Sequence, residues 1–473
     1  MAKKEFSVII LAAGKGTRMK SPLPKVLHPV AGTPMIKKVI DAAKAAGAHE
    51  IRIVLGHGES LVRKVVEPMG VTCFTQAKQL GTADAVKSAE PKSLQGTVLI
   101  LNGDHPLILA NDIEKILTEF HENSCALAVV TAELKNPGSL GRIVRHQGDL
   151  HSIVEAGDAS SDTLKIREVN SGIYVTKSQV LVEYLPMIKN LNSKQEFYLT
   201  DLLEVCKTEG EKIIAIKTLP QVAFGVNNQK ELAQATGVLF KRKREQLMSE
   251  GVLFIDPKTT YVEEECFVGP GSVLYPSVYL RGRTQIGAYC VLEPNCYLAH
   301  SKVDDGVHIK AGSYIEQAVI SARASIGPYA HLRPGTEIGV EAHIGNFVEL
   351  KKTKFGARSK AGHLSYLGDA SVGEDVNIGC GTITCNYAPD KKKYRTKIGD
   401  RVFVGSDTQF VAPVEIGNDS LIASGSTITK DVPEKSFAIA RGRQENKVGT
   451  AAKYLKKDEE EISKSNSPDI ADR

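Results

Sequence analysis

The N-terminal half of the chain alternates between short apolar runs and longer segments with helical spacing. Three runs are almost entirely apolar, as strands buried on both faces must be, and they span residues 6–11, 51–55 and 97–101. Segment 35–46, which lies between the first two runs, has helical spacing. This alternation continues to about residue 226 and predicts a mostly parallel sheet flanked by helices. In such sheets ligands bind at the carboxyl ends of the strands.

A strict period of six replaces this pattern after residue 250. An apolar residue recurs at every sixth position in three series, which run over 262–298, 320–350 and 398–428. Neither a helix nor an alternating strand has this period. A triangular parallel β-helix does, because each side of a coil sends one apolar side chain inward. Since a single coil cannot bury its inner face, the pattern predicts a stack of coils.

The change of pattern gives the predicted domain organisation. Residues 228–250 are rich in good helix formers and predict a connecting helix. We therefore expect an N-terminal domain of residues 1–227, a linker helix of 228–250, a β-helix domain of 251–445 and a tail of 446–473. The charged end of the tail, from residue 456, predicts disorder. A basic segment at 387–395 interrupts the repeat, and insertions in solenoids tend to lie on the working face.

Composition narrows the class of protein. The net charge of +5 is weak for 473 residues, and the basic residues form no long stripe of the kind that a nucleic-acid partner requires. The sequence contains no run of about eighteen apolar residues, which is the length needed to span a membrane. The apolar run near the N-terminus is too short for a signal peptide. Eight cysteines without a C-x-x-C pair indicate reduced, mostly buried thiols. These features predict a cytoplasmic protein with no nucleic-acid or membrane partner.

The first candidate site follows the first strand. Segment 12–19 is a glycine-rich turn with basic residues, and Lys25 comes shortly after it. Glycines let backbone N–H groups approach phosphate oxygens, while Lys and Arg supply charge. Asp104 follows the third apolar run, and Mg²⁺ prefers one or two carboxylates plus substrate phosphates. Taken singly, the segment could be an ordinary strand–helix turn and Asp104 a turn former.

Several motifs together resemble the sugar-nucleotide pyrophosphorylases: Leu11–Met19, Pro24-Lys25, Gln76 with Leu80–Ala83, and Gly103-Asp104. Followed by hexapeptide repeats, they resemble the bacterial bifunctional N-acetylglucosamine-1-phosphate uridylyltransferase/glucosamine-1-phosphate acetyltransferase family over about residues 5–445. The resemblance implies an α/β fold with a Rossmann-like nucleotidyltransferase domain, the uridylyltransferase, before a left-handed parallel β-helix. It also implies acetylation of glucosamine-1-phosphate by acetyl-CoA. Transfer of uridylyl from UTP to N-acetylglucosamine-1-phosphate follows, with Mg²⁺ as cofactor and UDP-N-acetylglucosamine for cell-wall synthesis as product.

The same resemblance assigns residues to the uridylyltransferase site. Contacts with UTP or UDP-N-acetylglucosamine would come from Leu11, Ala12, Gly14, Lys25, Gln76, Gly81, Thr82, Gly141, Glu155, Asn170 and Asn227. Gln76, Gly81 and Thr82 would hold the uracil, and Gly141, Glu155 and Asn170 the sugar phosphate. Arg18 and Lys25 would act on the triphosphate as catalytic residues. Asp104 and Asn227 would bind Mg²⁺.

For the acetyltransferase site, the resemblance makes His363 the proton acceptor. Glucosamine-1-phosphate would contact Arg333, Lys351, Tyr366, Asn377 and Lys393. Acetyl-CoA would contact Asn386, Tyr387, Ser406, Ser424 and Arg441 between the subunits of a homotrimer. The insertion after Tyr387 is one residue longer than the family pattern, so either Lys392 or Lys393 could be the loop ligand. Position 424 is Ser where Ala is expected.

Two other interpretations compete with this one. The β-helix could be purely structural or regulatory, or the whole chain could be a non-catalytic assembly subunit. A single histidine on a β-helix is more often a surface residue than a base. The combination of His363, Tyr366 and Asn386 with a basic insertion argues against the first alternative. Intact Lys25 and Asp104 argue against the second.

Overall fold

A computed structural model describes residues 5–192 and 195–454. The predicted disorder of residues 456–473 lies outside these residues. The chain divides into two compact units, residues 1–305 and 306–473. None of the helices in the described residues has the length and apolar character needed to cross a membrane.

The first unit begins with the predicted α/β domain. Its strands are β1 Phe6–Ala12, β2 Pro29–Val30, β3 Thr33–Pro34, β4 Glu50–Leu55, β5 Thr72–Thr75, β6 Thr97–Asn102, β7 Leu127–Glu133, β8 Arg142–His146, β9 Asp149–Val154, β10 Glu168–Lys177 and β11 Ile213–Thr218. Its helices are α1 Met35–Ala45, α2 Glu59–Val66, α3 Thr82–Ser88, α4 Ala110–Glu122, α5 Ser178–Tyr184, α6 Leu202–Thr208 and α7 Gln229–Ser249.

The main sheet has the strand order β11-β7-β10-β6-β1-β4-β5, with the hairpin β8–β9 attached to β10. Strand β1 runs parallel to both of its neighbours, β4 and β6, and β10 runs antiparallel between β6 and β7. The predicted mostly parallel sheet is confirmed, with β10 as an antiparallel insertion. The central position of β1 places the turn that follows it in the middle of the carboxyl edge.

Alternating residues of β1 enter two different cores. Val8 and Ile10 pack with Val39 of α1 on one face of the sheet. Ile9 packs with Val86 of α3 on the other face. Burial on both faces is the physical reason for the unbroken apolar run in the sequence.

Helix α7 confirms the predicted connecting helix. Its N-cap is Asn228, whose side-chain oxygen accepts a hydrogen bond from the Glu231 backbone N–H at 3.0 Å. Further along the helix, Phe240 lies edge-on to Tyr261, with ring centroids 5.3 Å apart. Arg244 donates to the Thr260 carbonyl at 3.2 Å. The helix therefore ties the α/β domain to the first coils of the β-helix.

Short parallel strands form the coils that follow. Those of the first unit are β12 Leu253–Phe254, β13 Tyr261–Val262, β14 Phe267–Val268, β15 Val273–Leu274, β16 Tyr279–Arg281, β17 Gln285–Ile286, β18 Val291–Leu292, β19 Tyr297–Ala299 and β20 Lys302–Val303. Pairs such as β15–β18 join residues eighteen positions apart, which is one coil of three hexapeptides.

The second unit continues the repeat. Its strands are β21 His308–Ile309, β22 Tyr314–Glu316, β23 Val319–Ile320, β24 Ser325–Ile326, β25 His331–Leu332, β26 Glu337–Ile338, β27 His343–Asn346, β28 Glu349–Lys351, β29 Lys354–Phe355, β30 Lys360–His363, β31 Tyr366–Gly368, β32 Ala370–Val372, β33 Asn377–Ile378, β34 Ile383–Cys385, β35 Thr396–Ile398, β36 Phe403–Val404, β37 Gln409–Val411, β38 Val414–Ile416, β39 Leu421–Ile422, β40 Thr427–Ile428 and β41 Phe437–Ala438.

Every member of the three six-residue series is buried, from Val262 at 0% exposed to Ile428 at 4%. The predicted left-handed β-helix of hexapeptide repeats is thus confirmed, and its core is a stack of single apolar residues. The basic insertion lengthens one coil, since Asn377 pairs with Phe403, 26 positions later, instead of 18. Within it, a hairpin is closed by the bridge between Tyr387 and Lys393.

We predict that a fragment of residues 1–250 is less stable than a fragment of residues 1–305. The shorter fragment leaves Phe240, which is only 7% exposed in the whole chain, without the tyrosines that cover it. Exposing such a ring costs about 1.5–3 kcal/mol. Urea unfolding of both fragments measures the difference. Equal free energies of unfolding would contradict the prediction, whereas uridylyl transfer by the shorter fragment would show that the first site is self-contained.

Candidate active sites

The first site is built where β1 and β6 end side by side. The Gly103 N–H donates to the Leu11 carbonyl at 2.9 Å, which joins the two loops. Gly16 has φ +60°, and a β-carbon there would lie 2.6 Å from the Lys25 Cβ. Only glycine therefore lets the lysine stem cross the turn so closely. This contact fixes Lys25 at the carboxyl edge of the sheet.

Charged groups from three distant segments meet at this point. The Lys25 ammonium forms an ion pair with Asp104 and donates to the Asn227 Oδ1 at 2.8 Å. Arg18 donates to the same Asn227 oxygen at 2.9 Å. Burial raises the pKa of Asp104, but the charges of Lys25 and His105 and the hydrogen bonds to the carboxylate together lower that pKa by more, and it lies below the ordinary value. Asp104 is therefore an ionised carboxylate.

Asn227 owes its position to the start of α7. The Val226 N–H donates to the Asp104 carbonyl at 3.0 Å, which joins the two loops. The Asn227 N–H donates to Glu231 at 2.6 Å, and Gln229 donates to the Met19 carbonyl at 3.1 Å. The linker helix is thus part of the framework of the first site.

The residues expected to hold uracil lie together on the next loop. The buried Gln76 side chain donates to the Gly81 carbonyl at 3.1 Å and to Asp84 at 2.8 Å. Thr82 accepts from the Leu199 N–H at 2.9 Å. The NH₂ group of Gln76 is therefore engaged with protein acceptors, and this residue braces the loop.

A cavity of about 240 Å³ lies beside these loops, and Leu11, Thr82, Glu155 and Asn170 are among its lining residues. The Asn170 N–H donates to the Gly141 carbonyl at 2.9 Å. Gly141 also lies next to Glu155. The three residues expected at the sugar phosphate are thus neighbours. Ala12 is buried, and Gly14 is exposed on the turn that follows β1.

Sequence reasoning missed four polar residues that line the cavity: Asn102, Tyr174, Tyr198 and Thr200. Asn102 ends β6, so the rule that strand ends carry the site could have found it. Tyr174 accepts a hydrogen bond from Asn170 at 2.8 Å. Its place is set by the register shift in β10, which the sequence pattern does not reveal.

The second site centres on His363, the last residue of β30. The register pairs Asn346 of β27 with His363, and the His363 Nδ1 lies 2.5 Å from the Asn346 Oδ1. An amide oxygen accepts only from a protonated ring nitrogen, so this contact places the hydrogen on Nδ1 and leaves the lone pair on Nε2. The His363 side chain is exposed.

Sequence reasoning also missed Asn346. Gly345-Asn346 and Gly362-His363 are matching pairs seventeen positions apart, or one coil of this part of the β-helix. A comparison of residues one coil from His363 could have found it. Here the coil is one residue shorter than the six-residue period predicts.

Three cations of the second unit, Arg333, Lys351 and Lys393, lie close to one another. The neighbouring ammonium of Lys393, and then the charge of Arg333, lower the pKa of Lys351. Arg333 also donates to Glu349 at 2.8 Å. Of the two candidate loop lysines, Lys393 is the one beside Lys351, while the Lys392 carbonyl accepts from the Ala388 N–H within the hairpin. Such a cluster suits a phosphate dianion.

The other polar residues predicted for this site lie on β31, on β33 and at the start of the inserted loop. The Tyr366 hydroxyl and the Asn386 amide both lie against Gly368, and Asn386 donates to Asp369 at 2.6 Å. Asn377 lies on β33, the neighbour of β30, and pairs there with Lys360 of β30. The Tyr387 side chain, on the inserted loop, is 63% exposed.

Three of the five residues expected at acetyl-CoA follow one edge of successive coils. The Gly425 N–H donates to the Ser406 carbonyl at 2.8 Å. Ser424 lies next to Gly405, and Arg441 lies next to Gly425. Ser406, Ser424 and Arg441 are therefore stacked along the β-helix, although their sequence separation differs from coil to coil.

Both halves of the chain match known families. A family of MobA-like NTP transferase domains matches residues 8–158, and the bacterial transferase hexapeptide family matches residues 395–430. The bifunctional protein GlmU of Bdellovibrio bacteriovorus is 61% identical, over 96% of this chain and all of its own length. GlmU of Pelobacter propionicus is 46% identical, over 96% of this chain and all of its own length. GlmU of Geotalea uraniireducens is also 46% identical, over 94% of this chain and 98% of its own length.

The chain belongs to the GlmU family. As a GlmU protein it is a bifunctional enzyme, with the uridylyltransferase and acetyltransferase activities expected from the sequence, and it makes UDP-N-acetylglucosamine. The alternative of a purely structural or regulatory β-helix finds no support in these bifunctional relatives.

We predict that Gly16→Ala in this GlmU chain slows uridylyl transfer by about a hundredfold, the effect typical of a misplacement by about 1 Å. The new methyl group would displace Lys25. Gly47→Ala is the matched control, because Gly47 also has positive φ, at +91°, but nothing lies within 4 Å of a β-carbon there. Steady-state rates of both variants test the prediction. Equal losses in the two variants would attribute the effect to backbone strain.

Proposed function

We propose that the first site transfers uridylyl by in-line displacement. The observation that supports this proposal is the convergence of Lys25, Asp104 and Asn227. An oxygen of the sugar phosphate attacks the α-phosphorus of UTP, and pyrophosphate leaves. Charge spreads over phosphoryl oxygens, so catalysis consists mainly of positioning and of supplying cations. Arg18 and Lys25 hold the triphosphate. The cavity beside them, lined by Glu155 and Asn170, receives the sugar.

In the same proposal, Asp104 and Asn227 are the protein ligands of Mg²⁺. The donor set fits, because the oxygens of both residues already converge on one cation, the Lys25 ammonium. A carboxylate and an amide oxygen leave the other coordination positions to phosphates and water, as Mg²⁺ prefers. The bound ion would stabilise negative charge on the phosphates. Lys25 and Arg18 orient those phosphates.

At the second site, His363 accepts a proton from the ammonium of glucosamine-1-phosphate through Nε2. The amine then attacks the thioester carbonyl of acetyl-CoA, and the CoA thiolate leaves. The cluster of Arg333, Lys351 and Lys393 is suited to the phosphate. Tyr366 and Asn377 bind the sugar. Acetyl-CoA contacts Asn386 and Tyr387 at the start of the inserted loop, and the edge that carries Ser406, Ser424 and Arg441.

We further propose a cytoplasmic homotrimer. Beside His363, Tyr329, Phe347 and Leu364 are 57%, 56% and 59% exposed, and the first two rings stack with centroids 5.6 Å apart. Exposed apolar stripes of this kind mark interfaces. A neighbouring subunit on this stripe would complete the acetyl-CoA site. Light scattering that finds an active monomer, or fractionation that finds the enzyme outside the cytoplasm, would contradict the proposal.

Two reciprocal substitutions test the assignment of the sites. Asp104→Ala should slow uridylyl transfer by about 10²–10³-fold, because it removes the charged ligand proposed to hold Mg²⁺ at the reacting phosphates. His363→Ala should slow acetyl transfer by about 10²–10⁴-fold, with little change in KM, because a base acts in the transition state. Each variant keeps the other activity, which also shows that it is folded. Loss of both activities in one folded variant would argue against two independent sites.

The contact between Asn346 and His363 predicts a change in pH dependence. A carboxylate in Asn346→Asp would stabilise the protonated imidazole, which cannot act as a base. The acid limb of the kcat profile for acetyl transfer should therefore move to higher pH by about one unit. Asn295→Asp, at an exposed asparagine of another coil, is the control. An unchanged profile in Asn346→Asp would show that this contact does not orient the base.

A further inference from the structure

Lys25 occupies an unexpected position for a residue that is to hold phosphate. Its ammonium is bound to Asp104 and to the Asn227 Oδ1, which are the two oxygen groups proposed to hold Mg²⁺. The Lys25 and Asp104 side chains are only 15% and 19% exposed, so water screens this ion pair weakly. In this state the Lys25 ammonium occupies the position proposed for Mg²⁺.

The stem of Lys25 limits where the ammonium can go. Its Cβ, Cγ and Cδ lie 2.6, 3.4 and 3.5 Å from the position of a Gly16 β-carbon, so the stem is pressed against the glycine-rich turn. Rotation about the side-chain bonds beyond Cδ moves the ammonium while the stem stays on the turn. In the present arrangement the ammonium contacts Asp104.

We infer that Lys25 is the resident counter-cation of the metal site, and that its movement to the nucleotide phosphates opens Asp104 and Asn227 to the divalent ion. This inference rests on the proposed metal site. A triphosphate on the glycine-rich turn offers Lys25 several negative oxygens in exchange for one carboxylate. The lysine leaves Asp104 when these oxygens arrive, and the carboxylate is then free.

The exchange has a thermodynamic consequence. While Lys25 holds Asp104, only the fraction of molecules in which the lysine is elsewhere can bind a divalent ion. The apparent dissociation constant for the ion rises by the inverse of that fraction. Nucleotide binding removes this competition, so nucleotide and metal strengthen each other's binding by the same factor. Lys25 thereby keeps the metal site closed until the substrate that uses it is present.

The experiment measures binding of Mn²⁺ alone to the full chain without nucleotide, with the free ion detected by electron paramagnetic resonance. We expect Lys25→Met to bind Mn²⁺ about tenfold more tightly than the unchanged protein, because the competing ammonium is gone. Lys25→Gln should behave in the same way. Lys20→Met, at an exposed lysine on the same turn, should leave the affinity unchanged. Retained acetyl transfer shows that each variant is folded.

Asp104→Asn separates the inference from the proposal on which it rests. If Lys25→Met and the unchanged protein bind Mn²⁺ equally, and Asp104→Asn abolishes binding, the metal site stands and the exchange is overturned. If Lys25→Met binds more tightly and the double variant Lys25→Met/Asp104→Asn does not, the exchange is supported. If Asp104→Asn binds Mn²⁺ as the unchanged protein does, Asp104 is not a ligand and both ideas fail.

Discussion

Both active sites depend on close approaches that only glycine allows. At the first site, Gly16 lets the stem of Lys25 cross the glycine-rich turn. At the second, a β-carbon on Gly345 would lie 1.8 Å from the Gly362 carbonyl. Any larger residue would push β27 and β30 apart and separate Asn346 from His363. At both sites a glycine allows two segments of the chain to pack closely. This packing fixes the orientation of the side chain beside the glycine.

The two sites use charge differently because their chemistry differs. At the first, cations and a carboxylate meet, and the ionised Asp104 balances the charge of Lys25. At the second, Arg333, Lys351 and Lys393 lie together, and their mutual repulsion favours a bound phosphate. His363, the predicted base, is oriented by the neutral amide of Asn346. A neutral partner fixes the tautomer without adding a charge that would favour the protonated ring.

Much of this arrangement could be predicted from the sequence, because it rests on periodicity and local motifs. The apolar run of β1 and the six-residue series require burial on particular faces, and both were found there. Asn346 escaped prediction because its link to His363 depends on a coil of seventeen residues. The choice between Lys392 and Lys393 depends on the hairpin in the inserted loop. Pairings of this kind are set by three-dimensional register and leave no pattern along the chain.

Helix α7 shows that a linker can be part of the chemistry it connects. The sequence predicts a boundary between residues 227 and 228, yet the Asn227 N–H is held by Glu231 inside the helix. Further along, Phe240 and Arg244 rest on the first coils of the β-helix. Contacts that stabilise α7 on those coils therefore also stabilise the position of Asn227 beside Lys25. A cut at residue 227 would remove Glu231 from the site, whereas a cut after the first coils would preserve the whole support of the amide oxygen.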